Sequence, residues 1–487
     1  MGMKVTIMGL GLHGGGLESA CYLARHGAEC TITDLRDEQV LAPSIGKLEA
    51  LEYPHPPFRY VLGRHEMDDF KNAAMVIKNP AVKPGSPYLA AAGRIETDIS
   101  LFLGASPARL TAVTGSKGKS SVSSAIHWGL KRARERTGLP AGRAFLGGNI
   151  TVSPLSFLDE LRNEDDVVLE LSSWQLGDLK GRGLLKPRAA AITAVMADHL
   201  DRYGTMDAYV NDKRLIYRDQ DRRDATAACL DDPWGQSFLA ETPGRPLPYS
   251  DRPLPGGTAG GWIDPVSGAG LVRFAGAAEG TGRVLEVVPP VPLVPGRHQK
   301  KNLVAAALVL LDLGVPAPLV LESMGSFPGI EHRLELFHEK EGIRFYNDTA
   351  ATIPEAAAAA VEAFTGDTPG GSPKPLILVA GGADKDLDFR PLARAARRAG
   401  GIVLLAGTGS EKLIPLLERE RLPWRGPCGS AGEAARTALE LARRAGAEQT
   451  PGTAGAVVVL SPGCASFGMF QNEFDRGRQW KEAVLAL

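Results

Sequence analysis

Short apolar runs recur along the chain, each breaking off at a glycine, an acid or a polar pair before a stretch with helical spacing. Val5-Thr-Ile-Met reads as a buried strand, Gly9 to Gly14 as a glycine-rich turn and Gly16 to His26 as a helix. Cys30 to Asp34 predicts a second strand ending in an acid, and Met75 to Pro80 a further one. Leu110-Thr-Ala-Val-Thr114 is another strand, closed by Gly115-Ser-Lys-Gly-Lys-Ser120 and followed by helical spacing from Val122. Asp166 to Gln175 reads as one buried strand carrying Glu170, and Ala189 to Met196 as another that delivers Asp198 and His199. Beyond a Gly/Pro-rich stretch from Arg245 to Gly282, which predicts turns and short antiparallel strands, the alternation resumes. Strands are expected at 343–348, 375–382, 402–407 and 456–462, with Ala-rich helices at 354–364 and 391–398. Such alternation predicts an α/β chain with mostly parallel sheets, here as three domains over residues 1–107, 108–328 and 329–487.

Composition narrows the field. A chain of 487 residues is too long for a single core, and 44% hydrophobic with 23% charged residues is ordinary for a globular protein. The net charge of −1, without a basic tail, gives no nucleic-acid footprint. Cys21, Cys30, Cys229, Cys428 and Cys464 lie far apart with no C-x-x-C pair. That argues against a disulfide framework or zinc site and for a reducing, cytoplasmic setting. The first strand is broken by glycine too soon for a signal peptide or membrane span.

The strand–glycine turn–helix at 110–130 is built for a triphosphate. Gly115, Ser116, Lys117 and Gly118 offer backbone amides, Lys119 a point charge, Ser120 a hydroxyl for Mg²⁺, and Ser121 continues the first helical turn. Val113 stands where the longer phosphate-loop pattern has its first glycine. In an open parallel sheet ligands bind beyond the carboxyl ends of the strands, so Glu170, Asp198 and His199 are expected on the rim of Lys119. A strand-end acid there serves a metal, or else a surface ion pair. Gly9, Leu10, Gly11, Leu12 and His13, with Asp34 some twenty positions on, fit a nucleotide-binding turn with an acid for a ribose or base. By pattern alone Lys213 is a solvated lysine on a helix face. Asn347 and Asp348 either cap the next helix or hold a ligand. The glycine-led loop with Lys385 is either a cation for an anionic substrate or a charged connection. Cys464 has no base and reads as packing.

These segments, in this order, resemble the Mur ligase family. The resemblance rests on Gly9-Leu-Gly11-Leu, Thr114-Gly-Ser-Lys-Gly-Lys-Ser120, Gly147-Gly-Asn149-Ile and Glu170-Leu-Ser-Ser-Trp-Gln-Leu176. It continues through Asp198-His-Leu-Asp-Arg-Tyr203, His332-Arg-Leu-Glu335, Asn347-Asp348, Gly381-Gly-Ala-Asp-Lys385 and Leu460-Ser-Pro-Gly-Cys-Ala-Ser466. It implies a Rossmann-like UDP-binding domain, a central P-loop ATPase and a Rossmann-like C-terminal domain. It implies ATP and Mg²⁺, with two metal sites, and amide formation through an acyl phosphate on a UDP-linked muramoyl substrate. Lys119 would hold phosphates, and Ser120 with Glu170 one Mg²⁺. His199 and Lys213 would serve a second, because the matching lysine in the family is carbamylated. Asn149 matches the asparagine on the muramoyl substrate. Asn302, Arg333 and Asp348 match the ATP side, with His332 and Arg333 at a hinge. Thr352, Lys385 and Ser466 match amino-acid-binding positions. Small-molecule partners and a cytoplasmic monomer follow.

Four departures stand out. Gln299 replaces an asparagine of the adenine-side motif, Ala350 the lysine and Ile353 the asparagine of the Asn-Asp-Ser-Lys-Ala-Thr-Asn motif, and Asn472-Glu473-Phe474 shifts an aromatic by one. D-Glutamate is the acceptor expected from the resemblance, with L-glutamate or another amino acid as the alternative. A folylpolyglutamate-synthase-like ligase is a further reading, opposed by the N-terminal nucleotide fold. A dehydrogenase would leave the phosphate loop unexplained.

Overall fold

The computed structural model describes residues 2–12, 14–83, 85–138, 141–150, 152–274, 282–366, 374–447 and 455–487. It forms two compact units, residues 1–250 with 305–320, and residues 251–304 with 321–487.

The first unit carries two parallel sheets. The N-terminal one consists of β1 (Lys4–Met8), β2 (Glu29–Asp34), β3 (Arg59–Leu62), β4 (Met75–Lys78) and β5 (Ile95–Glu96), in the order β3-β2-β1-β4-β5. Every pairing in it is parallel. Its strands are buried because the helices Gly15–Arg25 and Glu38–Glu49 pack Leu17, Ala20, Leu41 and Ile45 with Val5, Ile7 and Ile32. The next strands are β6 (Arg109–Thr114), β7 (Ala144–Gly148), β8 (Asp166–Glu170), β9 (Ala189–Ile192), β10 (Ala225–Cys229) and β11 (Arg245–Ser250). They run β11-β10-β9-β6-β8-β7, again in parallel. Ile99 and Phe102, from the helix Asp98–Ala105, sit in the core beneath this sheet with Ala112, Val167 and Leu169. The chain's switch at β6 places the phosphate loop at the carboxyl edge of the central strands, where open α/β sheets bind ligands.

The second unit holds an antiparallel ribbon of β12 (Gly260–Ile263), β13 (Gly270–Arg273) and β14 (Val284–Val288). Its other sheet contains β15 (Glu335–Lys340), β16 (Ile343–Asn347), β17 (Leu376–Gly381), β18 (Gly401–Leu405), β19 (Trp424–Cys428) and β20 (Val457–Leu460). The order is β15-β16-β20-β17-β18-β19, with only β15 antiparallel. The mostly parallel α/β expectation holds in all three regions.

Two expectations change. Asp166 to Gln175 is not one strand: β8 ends at Glu170, and Ser172 caps the helix Ser173–Asp178 by accepting from Gln175 N at 3.2 Å. A Ser-Ser pair three residues before a glutamine is a start signal that outweighs the apolar run. The Arg245–Gly282 stretch opens with the parallel strand β11 before turning antiparallel, and residues 275–281 of it lie outside the described residues.

Candidate functional site

β6 runs straight into the phosphate loop, whose glycines have geometric reasons. Gly115 has φ +147° and would place a Cβ 1.9 Å from Thr193 Oγ1; Gly118 has φ +92° and caps the helix Lys119–Thr137. Its N-cap, Gly118, makes no side-chain cap hydrogen bond. Lys119 lies across the loop, its Nζ donating to Gly115 O at 3.1 Å and Ser116 O at 3.2 Å. Ser116 is turned inward. Its amide donates to Ala194 O at 2.8 Å, its hydroxyl bonds Met196 O at 3.0 Å, and Tyr209 OH lies 2.9 Å from that hydroxyl. Lys117 is exposed and its amide also reaches Ala194 O, at 3.3 Å. Ser116 and Lys117 therefore shape the loop, whereas Gly118 caps the helix that Lys119, Ser120 and Ser121 open.

Glu170 ends β8 fully buried beside the loop. Asn149, reached through the left-handed Gly148, donates its Nδ2 to Glu170 Oε1 at 3.0 Å, while Glu170 Oε2 is buried with no hydrogen-bond partner among the described residues. An orphaned carboxylate oxygen beside a phosphate loop fits a hard divalent cation. No group of three or more His, Cys, Asp or Glu side chains able to hold a metal occurs among the described residues.

Lys213 overturns the solvated-lysine expectation. It sits on the helix Met206–Arg214 with 1% exposure, its Nζ donating to Gly115 O at 3.0 Å and 4.3 Å from the centre of the Tyr209 ring. Burial, reinforced by the Lys119 charge, lowers its pKa to about 7. A helix whose outer face is polar gives no sequence signal that one lysine points into the sheet edge. His199 is exposed, in the left-handed conformation at φ +52°, between the rings of Trp174 and Tyr209 with centroids 5.0 and 6.3 Å away.

Gly115, Lys119, Asn149, His199 and Lys213 line one cavity of about 390 Å³. Its other wall comes from the N-terminal sheet through Gly14, Gly15, Asn79, Pro80 and Ala81, and it is also bordered by Asp98 and Trp174. The walls are joined by a buried ion pair: Lys78 Nζ, at the end of β4, lies 2.6 Å from Asp178 Oδ2, at the end of the helix that carries Trp174. Asn79 fixes the turn above by donating to Gly9 O at 3.2 Å. Sequence reasoning missed Asn79, Asp98, Trp174 and Tyr209 as site residues; the Asn-Pro step after β4 was the available signal.

At the nucleotide turn, Gly9, Gly11 and Gly14 take positive φ, and a Cβ on Gly16 would meet Gly9 O at 2.2 Å. Asp34 is nearly buried and holds this turn, accepting from Gly11 N at 3.2 Å and Arg36 N at 3.0 Å. Leu10 is buried, Leu12 is exposed, and His13 lies outside the described residues.

The second unit gathers another set. Ala383 and Ala465 exchange both backbone hydrogen bonds at 3.0 Å, joining the loops of Lys385 and Ser466, and Gly463 N donates to Ala351 O at 2.8 Å beside Thr352. Lys385 is exposed and Ser466 buried. Asp348 accepts from Ser461 Oγ at 2.7 Å and Leu334 N at 3.2 Å, and burial raises its pKa to about 7. Arg333 is exposed between His332 at φ +69° and Leu334 at φ +45°. Asn302 donates to Gln299 Oε1 at 3.2 Å.

Residues 113–251 match the Mur ligase middle domain. A UDP-N-acetylmuramoylalanine–D-glutamate ligase of Treponema pallidum is 39% identical over 550 aligned residues, covering 99% of this chain and 97% of that protein. The protein of the same description from Roseiflexus sp. is 38% identical, covering 99% and 98%. Among solved structures, MurC of Thermotoga maritima aligns with TM-score 0.52 at 16% identity over 99% of both chains. MurF of Acinetobacter baumannii aligns with TM-score 0.56 at 15% identity over 95% of this chain and 92% of its own. The fold and the phosphate-loop cavity are those of an ATP-dependent, amide-bond-forming ligase. The chain belongs to the Mur ligase family, and its full-length relatives carry the D-glutamate ligase description.

Proposed function

We propose that the chain joins D-glutamate to UDP-N-acetylmuramoyl-L-alanine in peptidoglycan precursor synthesis, with ATP converted to ADP and phosphate. The terminal carboxylate of the UDP-linked substrate takes the γ-phosphoryl group, and the glutamate amine then displaces phosphate from the acyl phosphate. The observation that carries this reading is one cavity walled by a nucleotide turn on one side and by Lys119, Asn149, His199 and Lys213 on the other.

Lys119 and the first amides of its helix hold the transferring phosphoryl group and offset the charge that develops on it. Asn149 orients the muramoyl end. Ser120 and Glu170 would hold one Mg²⁺, and His199 with a carbamylated Lys213 a second; bound there, the ions neutralise phosphate and acyl-phosphate charge. The lowered pKa of Lys213 supports that modification, since a neutral amine is the form that reacts with carbon dioxide. Gly9, Leu10, Gly11, Leu12, His13 and Asp34 make the UDP turn. Asn302, Arg333 and Asp348 serve ATP, and Thr352, Lys385 and Ser466 the acceptor.

The domains are 1–107, 108–328 and 329–487, working as a cytoplasmic monomer on small molecules. Among the described residues no helix is long and apolar enough to cross a membrane.

Ala350 stands where the family motif that the sequence resembles has a lysine, and this departure carries a second reading in which the acceptor is L-glutamate or another amino acid. Phosphate release from ATP with UDP-N-acetylmuramoyl-L-alanine and each candidate acceptor, with products weighed by mass spectrometry, decides between them. D-Glutamate-dependent release is expected. Release with another acceptor moves the specificity, and release with none overturns the assignment.

A further inference from the structure

Asp98 opens the helix Asp98–Ala105 behind its cap, Thr97, which accepts from Ser100 N at 3.0 Å. It is 5% exposed and borders the cavity described above. Its Oδ2 accepts from Ser153 Oγ at 2.9 Å, while its Oδ1 is buried with no hydrogen-bond partner among the described residues. Buried acceptors are almost always satisfied, so an orphan on a cavity wall calls for a donor from outside the chain.

Its neighbours agree. A Cβ on Gly15 would sit 3.1 Å from Oδ2 and 3.5 Å from Oδ1, so a side chain here would press on the carboxyl group, and glycine leaves room beside it. Gly15 follows the nucleotide turn, and Asn149 stands on the cavity's other wall near the phosphate loop. The carboxyl group thus borders the space between the parts that would hold UDP and the reacting end. A diphosphate against a carboxylate is repelled, more strongly the lower the local dielectric. A neutral group with an O–H or N–H fits instead.

We propose that Asp98 is a specificity residue for the sugar portion of the UDP-linked substrate, its Oδ1 accepting a hydrogen bond from a sugar hydroxyl or the acetamido N–H. The inference rests on the function proposed above. Burial also pushes the Asp98 carboxyl upward, opposed chiefly by the Ser153 hydroxyl, so a hydrogen-bond donor supplied by the substrate would favour its charged form.

Calorimetric binding of UDP-N-acetylmuramoyl-L-alanine and of UDP alone, to the full-length wild type and to Asp98→Ala, Ser153→Ala and Gly15→Ala, tests it. Asp98→Ala is expected to weaken the sugar-bearing ligand on the order of 10-fold or more and leave UDP unchanged. Ser153→Ala, which breaks the same internal bond but keeps Oδ1, should bind both as the wild type does. Gly15→Ala, which covers the carboxyl face with a methyl group, should repeat the Asp98→Ala pattern and decides the matter if that variant fails to fold. Equal loss for UDP and the sugar nucleotide, or no loss, overturns the inference. A wild type that binds neither ligand overturns the function instead.

Discussion

Lys213 and Gly115 meet at 3.0 Å, the lysine Nζ donating to the carbonyl that begins the phosphate loop. The same carbonyl takes Lys119 Nζ at 3.1 Å, so two cationic side chains converge on one oxygen. This contact holds Lys213 at the loop, where burial first and the Lys119 charge second depress its pKa.

Lys213 should therefore act as a neutral amine ready for modification. With a pKa of about 7, its protonated form dominates at pH 6 and its neutral form at pH 8. Activity in buffer stripped of carbon dioxide should fall and return on adding bicarbonate, more completely at pH 8 than at pH 6. Lys213→Ala should lose nearly all ligase activity and show no bicarbonate response. A Lys213→Ala variant with wild-type turnover refutes the role.

Lys119 is expected to matter chiefly for the chemical step. Removing one preorganised donor to a developing anion typically costs about 100- to 1,000-fold in turnover. Lys119→Ala should lose at least about 100-fold in phosphate release while calorimetry still detects the UDP-linked substrate. Unchanged release would mean that the loop does not bear the transferring phosphate.

Much of this arrangement was legible in the sequence. The strands ending at Asp34, Thr114 and Asn347 were visible because buried parallel strands are continuous apolar runs closed by a polar residue, whereas the apolar run through Glu170 hid the helix start at Ser172. Lys213 was not, because the pattern of its helix cannot say which polar residue turns inward. Asp34 and Ser116 were expected as ligand contacts, and the internal hydrogen bonds they make carried no sequence signal. Lys78 and Asp178 lie 100 residues apart and carry no local signal at all.

That pair defines a stability experiment. Both side chains are mostly buried, at 4% and 13% exposure. Breaking a buried ion pair from one side leaves an uncompensated charge and costs about 3–5 kcal/mol, whereas replacing both partners with apolar groups is close to neutral. In denaturant unfolding, Lys78→Met should be strongly destabilised and Lys78→Met with Asp178→Leu should recover most of the loss. A double variant no better than the single one would show that the pair does not act as a unit.

Asp348 predicts a pH dependence with a definite sign. Burial raises its carboxyl from 3.8 to about 7. Between those values the folded chain keeps a proton that the unfolded chain has lost, so this group's contribution is complete below about pH 4 and disappears as pH rises through about 7. Asp348→Asn keeps an acceptor for Leu334 N and a donor for Ser461 while removing the ionisation. Its unfolding free energy should decline less than that of the wild type between pH 4 and pH 7. Parallel curves would place the titration elsewhere.

Arg476 ties together the loops that bear the proposed acceptor residues. Its guanidinium is 1% exposed and donates to Thr349 Oγ1 at 3.0 Å, Thr349 O at 2.9 Å and Cys464 O at 3.0 Å. Burial lowers its pKa to about 10, which still leaves it charged at neutral pH. Thr349 is three residues from Thr352 and Cys464 two from Ser466, so the planar fork sets the spacing of both. A lysine keeps the charge but cannot span three acceptors in one plane. Arg476→Lys should therefore raise the KM for the amino-acid acceptor roughly 10-fold, as expected for one or two weakened charge-assisted bonds, and leave the KM for the UDP-linked substrate unchanged. Arg476→Met, which leaves three buried acceptors without a donor, should in addition lower the unfolding free energy by about 3 kcal/mol or more. Equal rises in both KM values would indicate general loosening of the C-terminal sheet and refute the positioning role.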